Sequence, residues 1–243
     1  MNNLGFACPT QAGNFIKINF YLFINLMSEK RLLEIQKIRH ITPTVFTICL
    51  ERDDIKFKAG QHIGLGLNEY PYMREYSIYS GENDDYLEVL IKEVKDGTLT
   101  PKFKACSAGE KLIMDGPTGS FVVKPDSVKR DKFYFIATGT GISPFHCFIR
   151  SYPEMNYQLI HGVKFVEESI DRDEYAPDRY INCTTEDPKG DFRGRVGQYL
   201  AANPVDPDGL YYLCGSGKMI YEVNSILQNK GIAPHRIFWE IYF

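Results

Sequence analysis

Two different patterns of apolar and polar positions follow one another along the chain. From residue 30 to about residue 123, short apolar or alternating runs occur with little helical periodicity between them. They are VFTICL (45–50), HIGLGL (62–67), YSIYS (76–80), YLEVLIKEV (86–94) and KLIMDG (111–116), the last ending in a turn at Gly116-Pro117. One helix, over residues 98–105, interrupts them. Short strands at this spacing predict a small antiparallel β-barrel of the Greek-key type.

After residue 131 the pattern changes to strand, turn and helix. Strand-like runs occupy residues 133–137, 157–163, 179–185 and 210–215, and helices are predicted over 196–202 and 218–229. The second helix has an apolar face, and Gly231 lies just past its end. This alternation predicts an α/β domain with a parallel sheet. We therefore predict a two-domain chain, divided into residues 27–128 and 129–243.

Residues 15–26 (FIKINFYLFINL) are mostly apolar but include Lys17. The run is shorter than the roughly 20 residues that a membrane-spanning helix needs, so we expect no membrane span. It also lacks the basic flank and small residues of a secretory signal, and Met27-Ser28-Glu29 resembles an ordinary start. We expect residues 1–26 to be an extension outside the fold. A membrane-surface anchor is the alternative.

Charge and cysteine content exclude several classes of function. The chain has 28 basic and 31 acidic side chains, a net charge of −3, and a polyanion-binding protein would carry a basic surplus. We therefore expect no nucleic-acid partner. The six cysteines form no C-x-x-C pair or iron–sulfur spacing, and the five histidines are never three or four residues apart. We therefore expect no bound metal. We expect the thiols to be reduced, as in the cytoplasm, and any redox chemistry to come from an organic cofactor.

Two of four short motifs follow strands of the second half. Gly139-Thr140-Gly141-Ile142-Ser143-Pro144 comes directly after a strand, where glycines let backbone amides approach a phosphate. A plain tight turn explains the same residues. Leu213-Cys214-Gly215-Ser216-Gly217-Lys218-Met219 lies at the end of another strand and before a helix, at the edge of an open α/β sheet where ligands collect. A small buried cysteine is the alternative.

The other two motifs lie in the barrel and at the end of the chain. Arg74-Glu75-Tyr76-Ser77-Ile78 offers a forked cation for a pyrophosphate and a flat ring for an aromatic ligand. An ordinary strand with a solvated arginine is equally compatible. The last residues, Trp239-Glu240-Ile241-Tyr242-Phe243, end on two aromatic side chains, which we expect to be docked against something. Core packing accounts for that as well.

In this order and spacing, the four motifs resemble those of the ferredoxin–NADP⁺ reductase family, most closely its bacterial branch. The resemblance covers about residues 30–243. It implies an FAD-binding barrel followed by an NAD(P)-binding α/β domain whose tail covers the flavin. It also implies an oxidoreductase that moves hydride from NAD(P)H to FAD and passes single electrons to ferredoxin or flavodoxin.

The resemblance assigns roles position by position. The catalytic group comprises Ser77, Cys214, Glu240 and Tyr242. The FAD contacts comprise Arg74, Tyr76, Ser77, Leu90, Ile91, Lys92, Thr98, Leu99, Thr100, Thr140, Tyr242 and Phe243. The NAD(P) contacts comprise Gly139, Gly141, Lys164, Thr184, Thr185, Arg193, Arg195, Cys214, Gly215 and Ser216. Tyr242 is expected to cover the flavin ring until nicotinamide displaces it.

One departure from the family concerns the 2′-phosphate of NADPH. NADPH-specific relatives hold it with a Ser-Arg pair, and this chain has Thr184-Thr185 instead. Lys164 and Arg195 match the other basic positions, with Arg193 nearby, so we favour NADPH over NADH. The nearby carboxylates of Asp187 and Asp191 favour NADH.

Two alternative functions remain open. The same cofactors would serve a reductase component that supplies an oxygenase, a free flavin or another small acceptor. The second alternative is a nucleotide-binding module without turnover. The joint presence of the four catalytic residues disfavours it. The sequence predicts no oligomeric state, and a monomer is compatible with it.

Overall fold

The computed structural model of the protein describes residues 30–70 and 72–242, so the predictions for residues 1–26 and for Phe243 lie outside the described residues. The first half forms a six-stranded antiparallel sheet in the order β4-β3-β6-β1-β2-β5. Its strands are β1 (Arg31–His40), β2 (Val45–Glu51), β3 (His62–Leu67), β4 (Met73–Ser77), β5 (Tyr86–Lys92) and β6 (Lys111–Thr118).

The sheet closes on itself between β4 and β5. At the end of β4 the chain leaves its partner β3, and Ile78 forms an antiparallel bridge with Val89 of β5. The amide of Tyr79 then donates to the carbonyl oxygen of Glu88 at 2.7 Å. Closure removes the sheet edges at this seam and confirms the predicted antiparallel barrel. The change of partner also explains why β4 ends at Ser77, whereas the sequence pattern predicted a strand over 76–80.

Two further predicted boundaries of the barrel were wrong. Strand β6 continues through Gly116-Pro117, where a turn was predicted, and its pairing with β3 shifts register between His62 and Gly64. Such an irregularity accommodates a proline and a glycine with φ +100° within a strand. Helix α1 (Thr100–Ala105) starts two residues later than predicted, at a position compatible with Pro101.

The second half forms a six-stranded, all-parallel sheet in the order β10-β9-β8-β7-β11-β12, which confirms the predicted α/β class. Its strands are β7 (Lys132–Thr138), β8 (Asn156–Val163), β9 (Tyr180–Thr184), β10 (Phe192–Arg193), β11 (Leu210–Ser216) and β12 (Ile237–Tyr242). Its helices are α2 (Ser143–Ser151), α3 (Val196–Ala202) and α4 (Gly217–Asn229). Among the described residues, no helix combines the length and apolarity needed to cross a bilayer.

Strand β7 shows how the parallel sheet is packed on both faces. Phe133 and Phe135 belong to the core cluster that also contains the barrel interior, while Ile136 belongs to the cluster beneath α3 and α4. Phe121, which follows β6, meets Tyr212 of β11 edge-on with ring centroids 5.3 Å apart. The barrel and the parallel sheet are therefore joined by a continuous aromatic core, which fixes the side chains at their junction.

The Gly-rich turn between β7 and α2 packs directly on the end of β11. A Cβ atom on Gly141 would lie 2.3 Å from the carbonyl oxygen of Cys214. Gly215 has a φ of +136°, and a Cβ there would lie 2.3 Å from the Thr138 hydroxyl oxygen. Both glycines are needed because two backbone segments touch at this point.

We expect Gly141→Ala to lower the free energy of unfolding by about 2–3 kcal/mol, because neither backbone segment can move away cheaply. Gly217→Ala is the matched control, since a Cβ there meets only side-chain atoms at ordinary distances of 3.6 and 3.8 Å. Urea denaturation measures both variants. Equal midpoints for the two variants would refute the steric argument.

Candidate active site

The four residues predicted to be catalytic lie together where the barrel meets the parallel sheet. The Tyr242 hydroxyl donates to the Ser77 hydroxyl at 2.6 Å, and the Ser77 hydroxyl donates to Oε2 of Glu240 at 2.9 Å. Cys214 is fully buried and is the register partner of Glu240. A hydroxyl–hydroxyl–carboxylate chain with an adjacent thiol is thus assembled from three strands.

Strand geometry brings these side chains together. The parallel pairing of β11 with β12 sets Cys214 beside Glu240 and Ser216 beside Tyr242. Glu240 and Tyr242 are two residues apart, so they share one face of β12. Ser77 is the last residue of β4, at the point where the barrel changes strand partner. The site therefore depends on the docking of the barrel seam against the edge of the parallel sheet.

Burial keeps two members of the group neutral. It raises the pKa of the Cys214 thiol well above its usual value, and the nearby Glu240 carboxylate raises it further. Burial likewise raises the pKa of the Tyr242 hydroxyl. A thiol held in this state is a weak nucleophile. The group is consequently suited to orienting a ligand and holding protons, and unsuited to covalent catalysis.

The structure adds His62, which the sequence analysis did not single out. Its Nδ1 lies 3.7 Å from Oε1 of Glu240, and its Nε2 lies 3.1 Å from the Thr118 hydroxyl oxygen. The pairing of β3 with β4 sets it directly opposite Ser77. A single histidine on a strand carries no signal in the sequence. Only the strand register identifies it as a neighbour of the site.

The residues predicted to contact the flavin ring line the seam of the barrel. Tyr76 is half-buried and meets Phe103 of α1 edge-on at 6.1 Å between centroids. The side chains of Leu90 and Ile91 are buried. Beyond Val89 the outer edge of β5 has no partner strand among residues 30–70 and 72–242, so its backbone groups are open to a ligand. This arrangement fits a planar aromatic ligand held between backbone and tyrosine.

The residues predicted to hold the flavin phosphates differ in availability. The Arg74 guanidinium is exposed and donates to the carbonyl oxygen of Met73 at 3.1 Å, which leaves further donors for a pyrophosphate. Thr98 is exposed and Leu99 is buried. The Thr100 hydroxyl accepts from the amide of Val94 at 2.8 Å, so it closes the loop before α1. Of this set, the Arg74 side chain has the most hydrogen-bond donors without a partner in the protein's described part.

A cavity of about 360 Å³ opens at the carboxyl ends of the parallel strands. Five residues predicted to bind NAD(P) line it: Gly139, Lys164, Thr185, Arg195 and Ser216. Two further basic residues, Lys92 of β5 and Lys218 of α4, complete the lining together with the carboxylates of Glu168 and Glu222. Lys92 was assigned to the flavin, and Lys218 belongs to the motif at residues 213–219 but was given no role. Four cationic side chains against two anionic ones favour a ligand that carries phosphates.

Other residues predicted to bind NAD(P) lie outside this lining. Thr184 is fully buried, and its hydroxyl donates to the carbonyl oxygen of Asp187 at 2.6 Å, so it is not available to a phosphate. Arg193 is exposed on the short edge strand β10 and does not line the cavity. Gly141, Cys214 and Gly215 form the backbone contact described above. Of the residues considered for the 2′-phosphate, Lys164, Thr185 and Arg195 line the cavity, whereas Thr184 and Arg193 do not.

The two carboxylates that favoured NADH are already engaged. Asp187 accepts from the amide of Lys189 at 2.9 Å and from that of Val166 at 3.2 Å. Asp191 accepts from the amide of Asn182 at 2.7 Å. Neither lines the cavity. Their structural role weakens the argument for NADH.

His161 fixes the conformation of the Gly-rich turn that contains Thr140. Its Nε2 lies 2.9 Å from the carbonyl oxygen of Gly139, and its Nδ1 lies 2.7 Å from the Tyr180 hydroxyl oxygen. Burial lowers the pKa of His161 to about 4, so the ring is neutral at physiological pH. A neutral imidazole satisfies both contacts by donating to the carbonyl and accepting from the hydroxyl.

One cluster has the composition of a metal site but is an ion-pair network. His146, Asp171 and Glu174 present ligand atoms within 4.8 Å of one another. Arg39 approaches Asp171 at 2.6 Å, and Arg150 approaches Glu174 at 2.9 Å, so both carboxylates are already neutralised. The network links the barrel to the parallel sheet, and each of its carboxylates is paired with an arginine.

Comparison with known proteins identifies the family. Residues 30–123 match the family model described as an oxidoreductase FAD-binding domain. The ferredoxin–NADP reductase of Pseudomonas aeruginosa is 30% identical over 244 residues, covering 86% of this chain and 91% of the relative. A reductase subunit of aromatic O-demethylase from Amycolatopsis is 24% identical over 84% of this chain and 69% of its own length.

Structural similarity agrees with the sequence matches. A ferredoxin NADP⁺ reductase from Neisseria gonorrhoeae, solved with bound FAD and NADP, superposes with a TM-score of 0.81 at 26% identity. The match covers 89% of this chain and 100% of the chain in that structure. The FAD-binding match lies on the barrel whose seam and Arg74 fit that cofactor. The chain is an FAD-binding oxidoreductase and belongs to the ferredoxin–NADP reductase family.

Proposed function

We propose that this protein takes hydride from NADPH onto FAD and passes single electrons to a ferredoxin or flavodoxin. The observation that carries the proposal is the Tyr242–Ser77–Glu240 hydrogen-bond chain beside the buried Cys214 thiol. Ser216, the register partner of Tyr242, lines the basic cavity at the carboxyl ends of the same parallel strands. The flavin supplies the conversion of a two-electron donor into single electrons. Residues 27–128 serve as the FAD-binding domain and residues 129–243 as the NADPH-binding domain.

The residues of the site position the nicotinamide and its charge. Hydride loss leaves the nicotinamide ring positively charged, and a ring bound beside Glu240 would have that charge stabilised by the carboxylate. Ser77 holds the carboxylate through its 2.9 Å hydrogen bond, and the neutral Cys214 thiol fills the space beside it. Lys164, Arg195 and Lys218 supply the charge that the phosphates of NADPH need. A cytoplasmic location is supported by the five free cysteines of the described part.

Tyr242→Ser should bind NADP⁺ about tenfold more tightly than the wild type, because nicotinamide no longer has to displace a ring held by a hydrogen bond. That hydrogen bond joins the Tyr242 and Ser77 hydroxyls at 2.6 Å. Difference absorption titration measures the dissociation constant. Tyr221→Ser, on an exposed side chain of α4, is the control and should bind as the wild type does. Unchanged affinity for NADP⁺ in the Tyr242 variant would show that the Tyr242 ring does not block the nicotinamide site.

The acceptor is tested by anaerobic turnover with NADPH and three candidates: a ferredoxin, a flavodoxin and free flavin. We expect catalytic reduction of the ferredoxin or the flavodoxin at low carrier concentration. The similarity to an oxygenase reductase subunit favours an oxygenase component as the second candidate. Turnover with free flavin alone, or with an oxygenase component but neither carrier, would replace the proposed acceptor.

A further inference from the structure

His62 lies between the hydrogen-bond chain of the site and the protein surface. Two titratable groups face its imidazole: Glu240 of β12, 3.7 Å from Nδ1, and Glu75 of β4, 3.8 Å from Nε2. Strand β6 contributes the Thr118 hydroxyl at 3.1 Å from Nε2. The Glu75 side chain is 78% exposed, whereas His62 and Glu240 are each 20% exposed. The imidazole therefore has one carboxylate on its interior side and another in solvent.

Both protonation states of His62 are accommodated. A hydroxyl can donate and accept, so Thr118 hydrogen-bonds Nε2 whether or not that atom carries a proton. At 3.7 Å, Nδ1 and Oε1 of Glu240 are at ion-pair distance, longer than a direct hydrogen bond. Glu240 is the largest cause of a raised pKa at His62, opposed by burial. The stabilisation from this contact is present below the ordinary histidine pKa of about 6.5 and is lost as pH rises through the raised value.

We propose that His62 is a positioning residue, which in its protonated form holds the Glu240 carboxylate in place for Ser77 and thereby makes the reaction depend on pH. The two carboxylate oxygens of Glu240 have different partners, because Oε2 accepts from Ser77 whereas Oε1 faces His62. Loss of the imidazolium charge releases one of the two restraints on the carboxylate. The inference rests on the proposed function, since Glu240 matters for turnover only if nicotinamide reacts beside it.

The contact itself is tested without turnover. Histidine-labelled holoprotein is titrated by NMR, with the His62 signal assigned by its loss in His62→Gln. Glu240→Gln should shift the His62 pKa downward, and Glu75→Gln should shift it less because solvent screens an exposed carboxylate. The same His62 pKa in the wild type and in Glu240→Gln would overturn the proposal.

The effect of His62 on the reaction is tested by the rate of flavin reduction by NADPH between about pH 5 and pH 8, the range in which histidines titrate. The wild type should show an inflection at the His62 pKa found by NMR. His62→Gln should lose the inflection in the limiting rate while the KM for NADPH is unchanged, since His62 does not line the cavity.

His235→Gln, at an exposed histidine after α4, is the matched control and should keep the wild-type profile. An inflection retained in His62→Gln would overturn the proposal. A wild-type protein that NADPH does not reduce at any pH would instead overturn the proposed function, and the NMR titration would still report on the contact.

Discussion

Ser77→Ala is expected to lower the rate constant for flavin reduction by NADPH about 10²–10³-fold, the range lost when one well-placed polar group is removed from a reaction centre. The Ser77 hydroxyl accepts from Tyr242 and donates to Glu240, so its removal releases both side chains at once. Binding of NADPH should not weaken, because Ser77 does not line the basic cavity and the loss of its hydrogen bond only loosens the Tyr242 ring. Anaerobic stopped-flow absorbance separates the two effects.

Ser80→Ala is the matched control for this variant. Ser80 is equally buried and lies three residues along, but its hydroxyl accepts from the amide of Glu88 at 3.0 Å, away from the site. Its loss should cost about 1 kcal/mol of stability and leave the rate unchanged. If Ser77→Ala reduces flavin as fast as Ser80→Ala, the hydrogen-bond chain is structural and has no part in the reaction.

Arg195→Ala is expected to raise the KM for NADPH about 10–100-fold and to affect NADH much less, as loss of a charge-assisted contact to a phosphate predicts. Arg195 lines the cavity at the end of the loop before α3. The carboxylates of Asp187 and Asp191 accept from backbone amides and do not line the cavity. Steady-state kinetics with both nucleotides measures the ratio of kcat/KM.

Arg193→Ala provides the comparison, because this exposed arginine is two residues away but outside the cavity lining. Its kinetics with NADPH should match the wild type. A larger loss in Arg193→Ala than in Arg195→Ala would instead place the 2′-phosphate at the edge strand β10. Equal kcat/KM for NADPH and NADH in the wild type would show that the basic cavity does not select the phosphorylated nucleotide.

The fold followed from the sequence because its strands differ in pattern. Alternating runs in the first half and buried runs such as residues 133–137 in the second predict antiparallel and parallel sheets, respectively. The boundaries that failed lie where pairing overrides local preference. Strand β4 ends at Ser77 because the chain changes partner, and β6 runs through Pro117 because its register shifts against β3. Neither the change of partner nor the register shift can be predicted from the apolar pattern of one strand.

The candidate site was only partly accessible from the sequence. Motif resemblance placed Ser77, Glu240 and Tyr242 in one group, and the structure brings their side chains into contact. The sequence did not show that the Thr184 hydroxyl is buried and donates to the carbonyl oxygen of Asp187, because that contact depends on the turn after β9. His62 was not singled out because proximity across strands, rather than any motif, makes it a neighbour of the site. Lys218 belongs to the motif at residues 213–219, but its place in the cavity depends on how α4 packs.

The most direct measurement is the anaerobic mixing of the purified protein with NADPH, followed by its flavin absorbance and by the absorbance of added ferredoxin. We expect a yellow protein whose bound FAD is reduced in a single turnover and which then reduces ferredoxin. A colourless protein that does not take up FAD, or a flavoprotein that NADPH leaves oxidised, would contradict the assignment of the barrel seam and the Ser77–Glu240–Tyr242 group to this reaction.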